Sequence, residues 1–251
     1  LVNLSKLLNK SILIVLGGLQ NTNYPISNVK QDTVLKQYKS IFSKDMSISN
    51  RDFLGPSSLT LLMENLVEDN PTNVLENYSI TDKADGSRKL LFIDEDCLVY
   101  LIDTNMNVEF TGTRLTSMDK QNYKHTIIDG EHILHNKQKK YINLFAAFDI
   151  YYINGKCVMN NAFIDDSETS RLTILQRTIA DLSFDSITKT SVTFKVECKK
   201  FYADTSTQTI FDACKILFDK INNKDLVYNT DGLIFTPTLL GVGCNSKHDK
   251  A

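Results

Sequence analysis

The stretch HTIIDGEHILH-NKQKK-YINLFAAFDIYYI, residues 125–153, places two long β-like runs on either side of a polar turn. β-Branched and aromatic residues dominate both runs, whereas the short segment between them is rich in lysine. Strands of antiparallel sheets show this composition when a turn connects them. The stretch therefore predicts two neighbouring antiparallel strands in the middle of the chain.

Shorter β-like runs precede this pair and are separated by acidic or asparagine-rich turns. They are KLLFI (89–93), CLVYLID (97–103) and NVEFT (107–111). Two more strand-like runs follow, SVTFKVECKKFY (191–202) and DGLIFTP (231–237). The middle of the chain is thus predicted to form an antiparallel meander.

Helical periodicity flanks the predicted meander on both sides. The predicted helices are DTVLKQYKSIF (32–42), PSSLTLLMENLVE (56–68), SETSRLTILQRTIADL (167–182) and STQTIFDACKILFDKIN (206–222). Because strands and helices come in blocks and do not alternate, the expected fold class is α+β, with antiparallel sheets flanked by helices.

The apolar run SILIVLGGL (11–19) follows two lysines and could be mistaken for a signal peptide. It is too short to span a bilayer, and no small-residue cleavage site follows it. We expect a buried strand or helix segment there, and no membrane association. Because the chain begins with Leu1, we also expect it to be a fragment of a longer polypeptide.

The composition is that of an ordinary globular protein, with 42% hydrophobic and 23% charged residues among 251. A net charge of −2 argues against binding nucleic acid by bulk electrostatics, although a local basic groove stays possible. The five cysteines are scattered without a CxxC pair, which favours a reducing compartment and gives no zinc signal.

TDKADGSRKLLFI (81–93) places Lys83 just before an apolar run. A lysine amine with its usual pKa of about 10.4 is almost entirely protonated at neutral pH. To act as a nucleophile it needs a lowered pKa, from burial or a neighbouring cation. Gly86 would allow a phosphate or ribose to approach the backbone, and Arg88 could donate to phosphate or ribose oxygens. The alternative is a solvated turn without chemistry.

Two further acidic-glycine pairs lie within apolar runs. IIDGEHI contains Asp129 and Glu131, and TDGLIF contains Asp231. A carboxylate within a strand is costly unless it is ion-paired, hydrogen-bonded or bound to a metal. Together with Lys83, these carboxylates suggest a site for a divalent cation and a nucleotide.

Five blocks of the sequence occur in the order found in covalent nucleotidyltransferases. They are KADGSR, IIDGEHI, LFAAFDIYYING, TFKVECKKFY and TDGLIFTP. The chain resembles this superfamily, which includes mRNA capping guanylyltransferases and ATP-dependent polynucleotide ligases. The finer resemblance, over roughly residues 20–240, is to the capping enzymes of large cytoplasmic DNA viruses.

The resemblance implies roles for individual residues around the triphosphate. Lys83 looks like the nucleophile that forms a lysyl–nucleotide bond, with Asp85 and Gly86 in the same nucleotide-binding block. Arg88 and Glu131 are implied to contact the ribose, and Glu131 also to order a metal-bound water.

The resemblance also implies contacts to the base and the metal. Phe148 resembles the aromatic residue that stacks on the base, and Asp231 resembles a metal ligand. Lys199 resembles the lysine that reads the base edge, with Lys200 as the competing alignment. The alternatives are a core phenylalanine at Phe148 and a solvated edge at the two lysines.

Three features depart from the family pattern. Thr104 stands where cellular capping enzymes usually carry an arginine, for which Arg114 could substitute, and Ala84 replaces a common threonine. The lysine-rich strand expected after DGLIF is not visible, and neither is the C-terminal OB-type domain. Lys247 and Lys250 are not accepted as that motif.

The expected organisation is an N-terminal helical or mixed segment (1–70) packed on a nucleotidyltransferase core (71–240), followed by a truncated tail (241–251). The expected function is mRNA guanylyltransferase, with GTP as substrate, Mg²⁺ or Mn²⁺ as cofactor and 5′-diphosphate RNA as acceptor. The alternatives are an ATP-dependent DNA or RNA ligase and a non-catalytic nucleotide- or RNA-binding domain. The resemblance further implies triphosphatase and methyltransferase domains in the same polyprotein chain, and a location in the host cytoplasm, in viral factories, or in the virion.

Overall fold

The computed structural model describes residues 2–20, 22–116, 120–187, 194–204, 208–223 and 225–243. Within these ranges the α-helices are α1 (Val2–Gln20), α2 (Asn28–Ser40), α3 (Arg171–Asp181) and α4 (Ile210–Asn222). The strands of the same ranges are β1 (Tyr78–Ala84), β2 (Ser87–Ile93), β3 (Leu98–Asp103), β4 (Val108–Leu115), β5 (Thr126–His135), β6 (Tyr141–Ile153), β7 (Lys156–Cys157), β8 (Phe184–Ser186), β9 (Lys195–Cys198), β10 (Tyr202–Ala203) and β11 (Thr230–Pro237). The fold class is α+β, as the sequence predicted.

The larger of two sheets has the strand order β7-β6-β5-β2-β3-β4-β8. These neighbours are antiparallel, whereas β9 adds to β6 in parallel. The strands β5 and β6 form the predicted central pair, and β2, β3 and β4 form the predicted meander. This sheet contains most of the strands of the described residues.

The smaller sheet has the antiparallel order β10-β1-β11. A tight turn connects β1 to β2, so the chain passes from the small sheet directly into the large one. Helix α4 packs on the small sheet, where Ile210, Ala213 and Leu217 bury Ile80. The two sheets therefore meet at the segment that contains Lys83.

The large sheet is covered on both faces. Helix α2 packs on one face, where Val34 and Tyr38 contact the cluster around Leu90 and Phe92. Helix α3 packs on the other face through Leu175. Ser27 caps α2 by accepting a hydrogen bond from Lys30 N–H, which explains why the helix begins there.

A buried ion pair ties the C-terminal segment to the large sheet. Arg171, at the start of α3, donates through Nε to Asp149 Oδ1 at 2.8 Å and through Nη2 to Oδ2 at 3.2 Å. Its Nη1 donates to the carbonyl of Leu240 at 3.0 Å. The chain after β11 is thereby held against β6.

Two predictions about the N-terminal region are wrong. Residues 56–68 do not form an α-helix; only Met63–Leu66 form a short 3₁₀ helix. Leu59 and Met63 are 93% and 81% exposed, so the apolar stripe finds no surface to pack on, and a short helix is marginal without packing. Residues 11–19 are helical as part of α1, but they are not buried: Ile14 and Leu19 are largely exposed.

The predicted strand 191–202 is divided between the two sheets. Strand β9 joins the large sheet and β10 joins the small one, while residues 191–193 lie outside the described residues. Lys199, between β9 and β10, therefore sits at the junction of the sheets. Lys247 and Lys250 also lie outside the described residues.

Candidate active site

Lys83 and Asp231 face each other across the paired strands β1 and β11. The Lys83 amine donates to both carboxylate oxygens of Asp231, at 2.8 and 2.7 Å. Both side chains are about half exposed, at 48% and 58%. The amine is therefore reachable from solvent and already paired with one of the predicted carboxylates.

A β-bulge brings this pair together. Asp82 pairs with Leu233 and Ala84 with Thr230, so β11 contains one more residue than β1 between these two pairs. The extra residue falls at Asp231–Gly232, opposite Lys83. Bulges re-aim side chains in this way, and they are over-represented next to active sites.

The protonation of Lys83 differs from the expectation for a nucleophile. Its hydrogen bonds to Asp231 raise the pKa of the amine above the ordinary value, and the charges of Glu131 and Asp85 act in the same direction. Desolvation of the amine acts in the opposite direction but does not cancel this rise. The expected lowering of the Lys83 pKa is therefore wrong for this arrangement of charges, and the amine is a protonated ion-pair partner.

Arg88 and Glu131 lie opposite each other in register on β2 and β5. Arg88 donates to the buried Asp129 through Nε at 3.1 Å and through Nη2 at 2.6 Å. Tyr151 donates its hydroxyl to the same carboxylate at 2.5 Å. Asp129 is thus not a metal ligand candidate but the anchor of Arg88.

Glu131 is half-buried between the sheets. Burial raises its pKa to about 7, although the positive charges of Lys199, Arg88 and Lys83 act against the shift. A carboxylate held in such a place is stabilised by a cation. A further cation close to Glu131 would therefore lower the pKa of its carboxyl group.

Phe148 lies on β6, half-buried, with its ring 5.9 Å from the Arg88 guanidinium carbon. The ring is therefore neither fully buried in the core nor fully exposed, and it lies next to Arg88.

The two lysines of KKFY have different surroundings. Lys199 is buried and forms an ion pair with the Asp82 carboxylate at 3.2 Å, while also donating to the Asp82 carbonyl. Burial lowers its pKa, against the charges of Asp82 and Glu131. Lys200 is exposed, and its carbonyl accepts a hydrogen bond from Thr81. Of the two alignments, Lys199 is the one that points between the sheets.

The turn after Lys83 serves packing as well as access. Asp85 is exposed, and its backbone N–H donates to the carbonyl of Asn229 at 2.9 Å. A Cβ atom at Gly86 would lie 2.8 Å from Glu131 Cγ and from the His132 carbonyl. The close approach at Gly86 is therefore to β5, whereas the sequence suggested an approach by ligand.

Some positions lie outside this cluster or were missed. Arg114 is exposed on β4, where it pairs with Leu98 of β3 and Asp185 of the edge strand β8, two strands from Arg88. Asp129 and Tyr151 were not predicted from the sequence as neighbours of Arg88. The signal was present, because a carboxylate within a strand requires a partner and β2 carries an arginine.

Comparisons with known proteins identify the chain as a nucleotidyltransferase enzyme. A family model described as "mRNA capping enzyme, catalytic domain" matches residues 21–246. The chain therefore belongs to the mRNA capping enzyme catalytic domain family, which confirms the resemblance seen in the sequence.

The relatives include one curated protein and several solved structures. A probable mRNA-capping enzyme from Acanthamoeba polyphaga mimivirus is 29% identical over 151 residues, which cover 59% of this chain and 11% of that protein. The chain spans only about a tenth of the length of that relative.

Two solved ligase structures show a weaker likeness. Mycobacterial DNA ligase D complexed with ATP and MES gives a TM-score of 0.43 at 13% identity, covering 68% of this chain and 54% of that one. The ligase domain of M. tuberculosis LigD gives 0.41 at 13% identity, covering 67% and 52%.

None of the helices in the described part of the chain is long and apolar enough to cross a membrane. The same part of the chain contains no group of three or more His, Cys, Asp or Glu side chains placed to hold a metal ion.

Proposed function

We propose that this domain is an mRNA guanylyltransferase that transfers GMP from GTP to the 5′-diphosphate end of RNA through Lys83. The observation that carries the proposal is the solvent-accessible Lys83 amine, 2.7 Å from Asp231, in a member of the capping enzyme family. Residues 71–240 form the catalytic core in this proposal, residues 1–70 form an N-terminal segment that packs on the core through α2, and 241–251 belong to the tail.

The proposed reaction has two steps. In the first, Lys83 Nζ attacks the α-phosphorus of GTP; the N–P bond forms, the bond to the bridging oxygen breaks, and pyrophosphate leaves. In the second, a terminal oxygen of the RNA diphosphate attacks the same phosphorus. The N–P bond then breaks, and Lys83 takes up a proton.

Lys83 must lose a proton before the first step. Its pKa is raised by Asp231, so the ion pair has to be disrupted when the nucleotide binds. A cation that competes for the Asp231 carboxylate favours this, because it removes the negative charge that holds the proton. In this proposal, a cation that binds Asp231 thus makes it easier for the Lys83 amine to lose its proton.

The residues present fit Mg²⁺ or Mn²⁺. Magnesium is commonly held by one or two carboxylates, several waters and substrate phosphates. Asp231 is exposed and so open to a cation from solvent, and Glu131, whose pKa burial raises to about 7, would be stabilised as a carboxylate by a nearby cation. When bound there, the metal would offset charge on the triphosphate and its leaving pyrophosphate.

The other side chains near Lys83 would hold the nucleoside. Arg88 and Glu131, which lie in register on neighbouring strands, would contact the ribose. Phe148 would stack on the base and Lys199 would lie near its edge. Guanine specificity is part of the proposal, as are triphosphatase and methyltransferase domains in the parent chain and a location in the host cytoplasm or virion.

The test is covalent labelling with α-³²P-GTP and Mg²⁺ or Mn²⁺, followed by a denaturing gel. The wild-type domain should retain label, and Lys83→Arg should not, because arginine stays protonated. Lys215→Arg, at an exposed lysine of α4, is the matched control and should label normally.

The same assay with each of the four NTPs tests the base. Preferential labelling by ATP would favour a ligase-type adenylyltransferase instead. Labelling of Lys83→Arg at the wild-type level would remove Lys83 from the role of nucleophile. An absence of label with every NTP would favour the non-catalytic alternative.

A further inference from the structure

Arg88 is held by the N-terminal segment as well as by the large sheet. Its Nη1 donates to the carbonyl of Pro56 at 2.6 Å, in addition to its two bonds with Asp129. The ring of Phe53 lies 5.4 Å from the guanidinium carbon, and that of Phe148 lies 5.9 Å from it. Residues 53–56 therefore contact the proposed nucleotide site, although they lie more than 30 residues before Arg88 in the sequence.

The segment around Phe53 is fixed by α2. Tyr38 donates its hydroxyl to the carbonyl of Asp52 at 2.7 Å and accepts a hydrogen bond from Leu54 N–H at 3.2 Å. The buried Lys39 pairs with the Asp52 carboxylate at 2.9 Å. Both flanks of Phe53 are thus attached to a helix that packs on the large sheet.

Gly55 closes this contact. A Cβ atom there would lie 2.5 Å from Arg88 Nη2 and 2.5 Å from the Tyr151 hydroxyl. Gly55 also has a φ of +109°, a backbone conformation that glycine adopts readily and other residues rarely adopt. The backbone of the segment consequently lies directly against the guanidinium and its anchor.

This packing fixes the orientation of the Arg88 guanidinium without using all of its hydrogen-bond donors. A guanidinium has five N–H donors, and the three hydrogen bonds described use three of them. The Arg88 side chain is 27% exposed, so a donor that these bonds leave free can reach an oxygen of a ligand. An arginine fixed in advance loses less side-chain freedom when it binds.

We propose that residues 53–56 form part of the nucleotide site and that Phe53 is a positioning residue for Arg88. Phe53 and the Pro56 carbonyl hold the guanidinium so that its remaining donors meet a ribose hydroxyl of the bound nucleotide. This inference depends on the proposed function, since it assigns Arg88 to the ribose.

The experiment compares Phe53→Leu, Phe53→Tyr and Phe184→Leu in the labelling assay with varied GTP. Phe53→Leu should raise the KM for GTP about tenfold and leave kcat within about twofold, because a cation–π contact and its orienting effect are lost. Phe53→Tyr retains the ring and should stay near wild type. Phe184→Leu removes a half-buried phenylalanine from the α3 side of the sheet and should not change KM.

Tyr38→Phe provides a second, volume-conserving variant. It removes the hydroxyl that holds both flanks of Phe53, so it should raise the KM for GTP in the same direction while the domain stays folded. A KM within twofold of wild type in Phe53→Leu would overturn the inference, and so would an equal rise in Phe184→Leu.

Failure of the proposed function can be told apart from failure of this inference. If the wild-type domain forms no adduct, GTP binding is measured by calorimetry in the presence of Mg²⁺. A weaker affinity in Phe53→Leu but not in Phe184→Leu supports the inference, and equal affinities, or no measurable binding, contradict it.

Discussion

At the scale of single residues, the burial of the Glu131 carboxyl group lowers the stability of the domain at neutral pH. Its side chain is half-buried, and burial raises its pKa to about 7 from an ordinary 4.5. Between these two pH values the folded state binds a proton that the unfolded state has released. Stability therefore decreases as pH rises from about 4.5 to about 7 and is constant above.

Glu131→Gln should remove this dependence. We expect the variant to be about 1–2 kcal/mol more stable than wild type at pH 8, a value below the full shift because solvent screens a partly exposed group. The difference should vanish near pH 4.5. Urea denaturation at several pH values, without nucleotide or metal, measures it.

Glu109→Gln is the control for this prediction. Glu109 is also half-buried, but it pairs with Lys89 at 2.5 Å, so its removal should not stabilise the domain at pH 8. An equal gain in both variants, or a gain in Glu131→Gln that is independent of pH, would contradict the account of Glu131.

At the scale of elements, the Arg171–Asp149 pair should dominate the attachment of α3. Arg171→Met leaves the Asp149 carboxylate buried without its partner, which typically costs about 3–5 kcal/mol. Chemical denaturation of the variant should show this loss. The double variant Arg171→Met/Asp149→Leu should recover part of it, because neither charge then remains.

Arg177→Met on the same helix is the matched control. Arg177 pairs with Glu168 at 3.2 Å, but the two side chains are 56% and 82% exposed. Exposed pairs contribute about 0–1 kcal/mol, so this variant should stay close to wild type. If the two arginine variants lost equal stability, burial would not explain the difference between them.

Some secondary-structure elements could be predicted from the sequence and others could not. Strands β5 and β6 and helices α2, α3 and α4 were predicted because their periodicity coincides with the faces that are buried. The segment 56–68 has a similar stripe, yet no partner surface is left for it. A pattern of apolar residues indicates which side chains could be buried. Whether they are buried depends on the surfaces that the tertiary fold provides.

For the candidate site, the sequence predicted only those residues that lie in short motifs. The sequence motifs included Lys83, Glu131 and Asp231 together, and the fold places Lys83 on Asp231 with Glu131 near enough to affect its pKa. The Phe53 contact was not predicted, because no motif connects residue 53 with Arg88. The bulge in β11 was equally invisible, since register depends on strand pairing.

At the scale of the whole molecule, α1 differs from the rest of the fold. Its large apolar side chains are mostly exposed, including Leu4, Leu7 and Leu19 at 70%, 67% and 78%. A helix that buries little surface gains little stability from tertiary packing. We expect α1 to open locally far more often than the central strands.

Hydrogen exchange measured by mass spectrometry tests this expectation. Amides of α1 should be at least about a hundredfold less protected than those of β5, whose side chains are largely buried. Comparable protection in both elements would contradict it. Repeating the measurement at several protein concentrations shows whether self-association covers α1.

The pairing of β1 with β11 has a consequence for biosynthesis. Lys83 and Asp231 are 148 residues apart in the chain, although their side chains touch. A ribosome that adds roughly 5–20 residues per second needs about 7–30 s to make that stretch. Throughout this interval the nascent polypeptide exposes the amine without its carboxylate, so a translation product that stops before β11 would carry the lysine yet lack the acid that faces it.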